Sequence, residues 1–180
     1  MSIMNVVVVL VAVVAVLNLV LTMGVIRRLR EQQGALAALR RHEQRLPSVG
    51  AVVTDFDTVD ADGRRLSHRD LTGPALVGFF TPGCEPCRAL LPRFVAELAD
   101  SGRRGVAVIV TEPGEDDTEY RQSLARVARV VIERPHGTVQ RAVGTDVYPT
   151  IVALDEHLTV TASGTDEAAL RAARAVPAGT

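Results

Sequence analysis

Cys84 and Cys87 are the two cysteines of this 180-residue chain. They stand three residues apart. On a helix that spacing puts both side chains on one face, with Cβ atoms about 5–6 Å apart. Dithiol and disulfide can then interconvert with small adjustments. A bridge closing so short a loop removes little chain entropy, so it is a poor structural staple and is better explained by redox chemistry. Two cysteines exclude a multi-disulfide scaffold and a four-thiolate zinc site. A Cys2His2 site would need two of His42, His68, His136 and His157, and none of these form a close pair. No metal and no cofactor is expected.

The elements around the pair follow from pattern. Ala75 to Phe80 is an apolar run of strand length, as in a central strand buried on both faces. Thr81-Pro82-Gly83 ends it. A helix from Cys84 to about Asp100 follows, with Pro86 near its start, where a missing N–H costs nothing. Pro92 in its interior should kink it, and Ser101-Gly102 stops it. At the helix N-terminus the unpaired N–H groups and the dipole favour a thiolate on Cys84, which is read as the attacking nucleophile. Cys87, one turn in, is read as the more buried, resolving thiol. Glu85 between them opposes the thiolate or merely suits the helix dipole.

Upstream, Ala51 to Phe56 has a strand signal, and Asp62-Gly63 reads as a hairpin turn between Val59 and Leu66. Downstream, Val106 to Val110 is a second buried strand. Glu112 to Thr118 is a loop, Glu119 to Ala128 a helix, Val130 to Ile132 a strand and Thr138 to Val143 a short helix. Thr150 to Leu154 and Leu158 to Ala162 form an antiparallel hairpin. Asp166 to Val176 is a final helix, with Ser163 and Thr165 as cap candidates. This order gives an α/β fold: a central mixed sheet with flanking helices.

The first residues differ in kind. Ile3 to Ile26 carries no charge and is long enough to cross a bilayer. Without a basic residue before it or an obvious cleavage site, residues 1–26 read as a single-pass membrane anchor rather than a signal peptide. Residues 27–48 read as a basic juxtamembrane helix and linker, resting on lipid headgroups or forming a weak dimerising stalk. Residues 1–46 hold six arginines against two acids, net +4, and the remainder fourteen against nineteen, net −5. Nothing in that balance points to nucleic acid. There is no lysine, hence no Schiff-base or P-loop lysine.

The strand, then Cys84-Glu85-Pro86-Cys87, then Pro92 five residues past the second cysteine, resembles the thioredoxin fold. Tyr148-Pro149-Thr150 before the last hairpin is similar to that fold's cis-proline loop. The 65 residues from Cys84 to Pro149 leave room for an extra αβ insertion. With the N-terminal hairpin and the anchor, the chain resembles the TlpA/ResA-like thiol–disulfide oxidoreductases, and its Pro-Ser-Val-Gly lead-in is similar to MauD-like members. The resemblance covers residues 49–176, leaving 177–180 as a tail. It implies a redox-active Cys84–Cys87 disulfide and a cis Pro149 beside the sulfurs. Tyr148 and Thr150 would lie where a client strand pairs, with Glu85 and Pro86 modulating the site. Gly83 stands where the family usually has tryptophan.

The implied activity is reduction of protein disulfides, on exported proteins or cytochrome c precursors. The implied electron donor is membrane-embedded or thioredoxin-like. Arginine bias places the domain in the cytoplasm, whereas the resemblance places it outside the membrane, and the second is preferred. Thr81-Pro82-Gly83-Cys84 is also similar to the peroxidatic Thr-x-x-Cys of peroxiredoxins, although Val77 stands where that motif has proline. A third reading is a redox-inert docking module or one holding a soft metal such as Cu(I). Glu112 is a candidate proton carrier or a loop acid, and Arg88 a candidate for steering an acidic partner.

Overall fold

In a computed structural model, residues 10, 12–19, 21–23, 45–71 and 73–175 are described. The chain divides into two compact units, residues 1–44 and 45–180. In the first, residues 12–19 and 21–23 are helical. Their large apolar side chains are 55–68% exposed. Among the described residues no helix is long and apolar enough to cross a membrane. Most of the 1–26 anchor assigned from sequence, the 27–44 part of the stalk and the 177–180 tail lie outside the described residues.

The second unit is built on a five-stranded sheet of β3 (Ala75–Phe80), β4 (Arg104–Val110), β5 (Arg129–Glu133), β6 (Thr150–Leu154) and β7 (Val160–Gly164). Their order across the sheet is β5-β4-β3-β6-β7. β3 lies at the centre, parallel to β4 and antiparallel to β6, so the sheet is mixed. Every β3 residue is buried, which is why it reads as an unbroken apolar run. Its side chains alternate between the two faces. Leu76 and Phe80 join one core cluster; Ala75, Val77 and Phe79 join the other.

The first face is covered by α1 (Glu85–Ser101), α2 (Thr118–Leu124) and α4 (Glu167–Ala175). α1 docks through Leu90, Leu91, Phe94 and Leu98. Gly78 permits this approach. A Cβ there would lie 2.7 Å from ring atoms of both Phe80 and Phe94. The opposite face is covered by α3 (Thr138–Val143) and by Phe56, Leu66 and Leu71. Two of the latter flank or belong to a separate hairpin, β1 (Asp57–Val59) and β2 (Arg65–Ser67). α2, β5 and α3 all fall between Cys84 and Pro149.

The chain departs from its sequence pattern in four places. Ala51 to Phe56 forms only the isolated bridge Val52↔Thr159: Val53 N donates to Leu158 O and Val160 N to Ala51 O, but Thr54 N then turns to Ala142 O in α3 and the ladder stops. α2 ends at Leu124, since residues 125–128 fold back over Gly105 to begin β5. β7 begins at Val160, because Leu158 sits in the turn at φ 61°. α4 is capped by Asp166, whose Oδ1 accepts from Ala168 N at 2.9 Å, in place of Ser163 or Thr165.

One ionic contact ties the hairpin to the edge strand. The Asp60 side chain is 2% exposed. It accepts from Arg64 N at 2.8 Å and Arg129 Nε at 2.9 Å, while Ala61 N donates to Val130 O at 2.7 Å. Burial pushes the Asp60 carboxyl up, but Arg64 N–H and the Arg129 guanidinium outweigh it and hold it below its ordinary value. A lowered carboxylate contributes stability above its unfolded pKa and loses it as pH falls through the folded value. Asp60→Ala is expected to cost about 2 kcal/mol at neutral pH. Urea unfolding should show the gap to the parent closing below about pH 4; a gap independent of pH would contradict this account of Asp60.

Candidate active site

β3 delivers the chain into the turn Thr81-Pro82-Gly83. Gly83 has φ 73°, a left-handed conformation that side chains with a Cβ rarely adopt. Beyond Gly83 and its two chain neighbours, no atom lies within 4 Å of where its Cβ would be. Glycine rather than tryptophan is thus what this turn's backbone selects, and the space beside it is open.

Cys84 follows as the N-cap of α1, in extended conformation at φ −87°, ψ 109°. Its Sγ accepts from Cys87 N at 3.1 Å. The sulfur therefore stands where a Ser or Asp oxygen usually satisfies a first-turn N–H. Cys84 and Cys87 are joined in a disulfide, Cα atoms 5.2 Å apart. The two are unequal: Cys87 is 0% exposed, whereas Cys84 is partly exposed. Glu85 and Pro86, in the first turn, are both exposed. α1 continues through Pro92.

Cys87 packs in the cluster that holds Phe80, Leu91, Phe94 and Tyr120. The Tyr120 hydroxyl is buried without a hydrogen-bond partner. Burial pushes this phenol up, Glu119 adds to the effect and Arg88 opposes it. Glu112 is exposed in a turn, its N–H bonded to the Glu115 carboxylate at 2.9 Å. Arg88 is exposed, and Arg93 pairs with Glu167 at 2.7 Å. Among the described residues no group of three or more His, Cys, Asp or Glu side chains could hold a metal ion.

The second half of the site arrives through β6. β3 and β6 pair from Ala75↔Leu154 to Phe79↔Thr150. The next position would set Phe80 opposite Pro149, which has no N–H to donate, and the ladder ends there. The register therefore brings the end of β3 and the start of β6 to one edge of the sheet. Thr81 to Cys87 leaves from that edge, and Tyr148-Pro149-Thr150 enters at it. The Tyr148–Pro149 peptide bond is cis. Cys84 and Tyr148 pack against the same core cluster. Pro149 and Thr150 are buried and Tyr148 is half-buried.

Polar residues that sequence reasoning missed hold this loop. Gln140 is 1% exposed. Its Nε2 donates to the Tyr148 hydroxyl and to Thr145 O at 3.4 Å, and its Oε1 accepts from Gly137 N at 3.4 Å. Thr150 Oγ1 donates its single proton to Val147 O at 2.7 Å, so across the 3.1 Å contact Thr145 Oγ1 must donate to Thr150 Oγ1. Glu133 accepts from Gln140 N at 2.9 Å and Val139 N at 3.1 Å. Burial pushes the Glu133 carboxyl up despite these N–H groups. From outside, Arg45 N donates to Asp146 Oδ1 at 2.7 Å. The one sequence signal for this network is a glutamine among the apolar positions of a short helix.

Comparison with solved structures places the fold. The chain is similar to a thio-disulfide isomerase from Thermus thermophilus, with TM-score 0.58, 22% identity and coverage of 74% of this chain and 99% of that one. It is similar to a thioredoxin-family thiol:disulfide interchange protein from Chlorobium tepidum, with TM-score 0.55, 23% identity and coverage of 71% and 97%. It also matches a secreted Mycobacterium tuberculosis disulfide oxidoreductase homologous to E. coli DsbE, with TM-score 0.55, 16% identity and coverage of 67% and 96%. These likenesses establish a thioredoxin-like α/β fold. A comparison with curated proteins finds no match. Residues 49–163, which carry both cysteines and the proline loop, match the AhpC/TSA family, and the chain belongs to that family.

Proposed function

We propose that this chain is a membrane-tethered thiol–disulfide oxidoreductase of the TlpA/ResA-like and MauD-like kind. It reduces disulfides of exported proteins or cytochrome c precursors on the outer side of the membrane. The observation that carries the reading is the inequality of the bonded pair: Cys84 partly exposed at a helix N-terminus, Cys87 fully buried one turn in. The tether rests on the apolar run Ile3 to Ile26, whose described side chains stand exposed.

In the reduced protein the first-turn N–H groups of α1, including Cys87 N, stabilise a thiolate on Cys84. That thiolate attacks one sulfur of the client disulfide, forming a mixed disulfide and releasing a client thiolate. Cys87, deprotonated, attacks Cys84 Sγ, forms the Cys84–Cys87 bond and releases the second client thiol. The client gains two electrons and two protons, and the protein loses them. A dithiol donor, membrane-embedded or thioredoxin-like, restores the pair by the reverse exchange. Pro149 closes the site against the sulfurs, and the backbone at Tyr148 and Thr150 receives the client strand. Glu85, on the exposed first turn, sets negative charge beside the thiolate and favours the disulfide form, while Pro86 shapes that turn.

A peroxidase is the second reading, favoured by the AhpC/TSA match and by Thr81 three residues before Cys84. The purified protein should reduce insulin disulfides in the presence of dithiothreitol much faster than it consumes hydrogen peroxide. A peroxide rate exceeding the insulin rate would replace the first reading with the second.

A further inference from the structure

Gln140 directs its backbone carbonyl and its side-chain nitrogen into the turn that precedes β6. Its backbone carbonyl accepts from Gly144 N at 2.8 Å and Thr145 N at 3.2 Å. Its side-chain nitrogen holds the Thr145 carbonyl and the Tyr148 hydroxyl. The amide has one workable orientation, because Gly137 N needs an acceptor where Thr145 O needs a donor. Such a group, 1% exposed, is costly to bury unless fully bonded, and these partners satisfy it. Glu133 holds the same residue from the other side. Its carboxylate spans Val139 N and Gln140 N, and a Cβ on Gly137 would lie 2.3 Å from its Oε2. β5, α3 and residues 144–150 are thereby linked through one buried side chain.

We infer that Gln140 is a positioning residue for client binding: through Tyr148 Oη and Thr145 O it sets the backbone of residues 145–150 on which a client strand pairs. The inference rests on the disulfide-exchange reading above. Gln140 touches neither sulfur, so it acts on how the client is held and not on the thiol chemistry. Its loss belongs in KM, with kcat spared. A merely structural role would instead lower the amount of folded enzyme, and so kcat, at unchanged KM.

The test uses the full-length protein with insulin as substrate. Gln140→Leu is expected to raise KM about tenfold with kcat within about twofold. Tyr148→Phe removes only the hydroxyl and should raise KM about threefold. The double variant should match Gln140→Leu alone, since Gln140→Leu already breaks the contact that Tyr148→Phe removes. Tyr148→Phe carries the test alone if Gln140→Leu does not fold. An unchanged KM in Tyr148→Phe, a fall in kcat at constant KM, or simple additivity in the double variant would overturn the role. An unsubstituted protein that cannot reduce insulin would instead overturn the oxidoreductase reading.

Discussion

Replacing Cys84 by serine is expected to abolish insulin reduction, with a loss of more than about 10³-fold. A hydroxyl is a far weaker nucleophile than a thiolate and cannot form the mixed disulfide. The fold should survive, because a serine Oγ accepts a first-turn N–H at an N-cap at least as well as sulfur does. In this protein that donor is Cys87 N. The expected result is therefore a folded, inactive protein whose remaining Cys87 thiol lies fully buried. A folded Cys84→Ser protein that keeps its activity would remove Cys84 from the chemistry.

Phe94→Ala is expected to cost about 3–5 kcal/mol, enough to consume much of an ordinary domain's stability. Phe94 is 0% exposed. Its ring meets that of Phe80 edge-on at 5.3 Å between centroids, and both crowd the position where Gly78 has no side chain. This contact seats α1 on β3. A helix that lost its seat would no longer hold Cys84 at the end of β3. Urea unfolding should show a large drop in midpoint. A loss below about 1 kcal/mol would mean that the helix is held elsewhere.

How legible this was in the sequence depended on the range of the forces involved. β3 was readable because a strand buried on both faces must be apolar throughout. The start of α1 was readable because turn and cap residues act locally. The same holds for Asp62-Gly63 and for α3. Ala51 to Phe56 carried a strand's composition but made a single bridge, since past Val53 the backbone N–H of Thr54 goes to Ala142 O in α3. α2 stopped early because Gly105 leaves room for the chain to fold back over it. At the site, the cysteines and Tyr148-Pro149-Thr150 were visible as motifs. Gln140, Glu133, Thr145 and Asp146 were not, because their partners lie on other elements or across a turn. The departure at Gly83 became intelligible only with its φ of 73°.

In the proposed exchange Cys84 attacks a protein disulfide and Cys87 resolves the product. The most direct measurement is a non-reducing gel of reduced Cys87→Ala mixed with insulin, run beside reduced Cys84→Ser. The Cys87→Ala protein should accumulate a mixed disulfide with an insulin chain that dithiothreitol releases, and Cys84→Ser should form none. No adduct with Cys87→Ala, or an equal adduct with Cys84→Ser, would contradict the account.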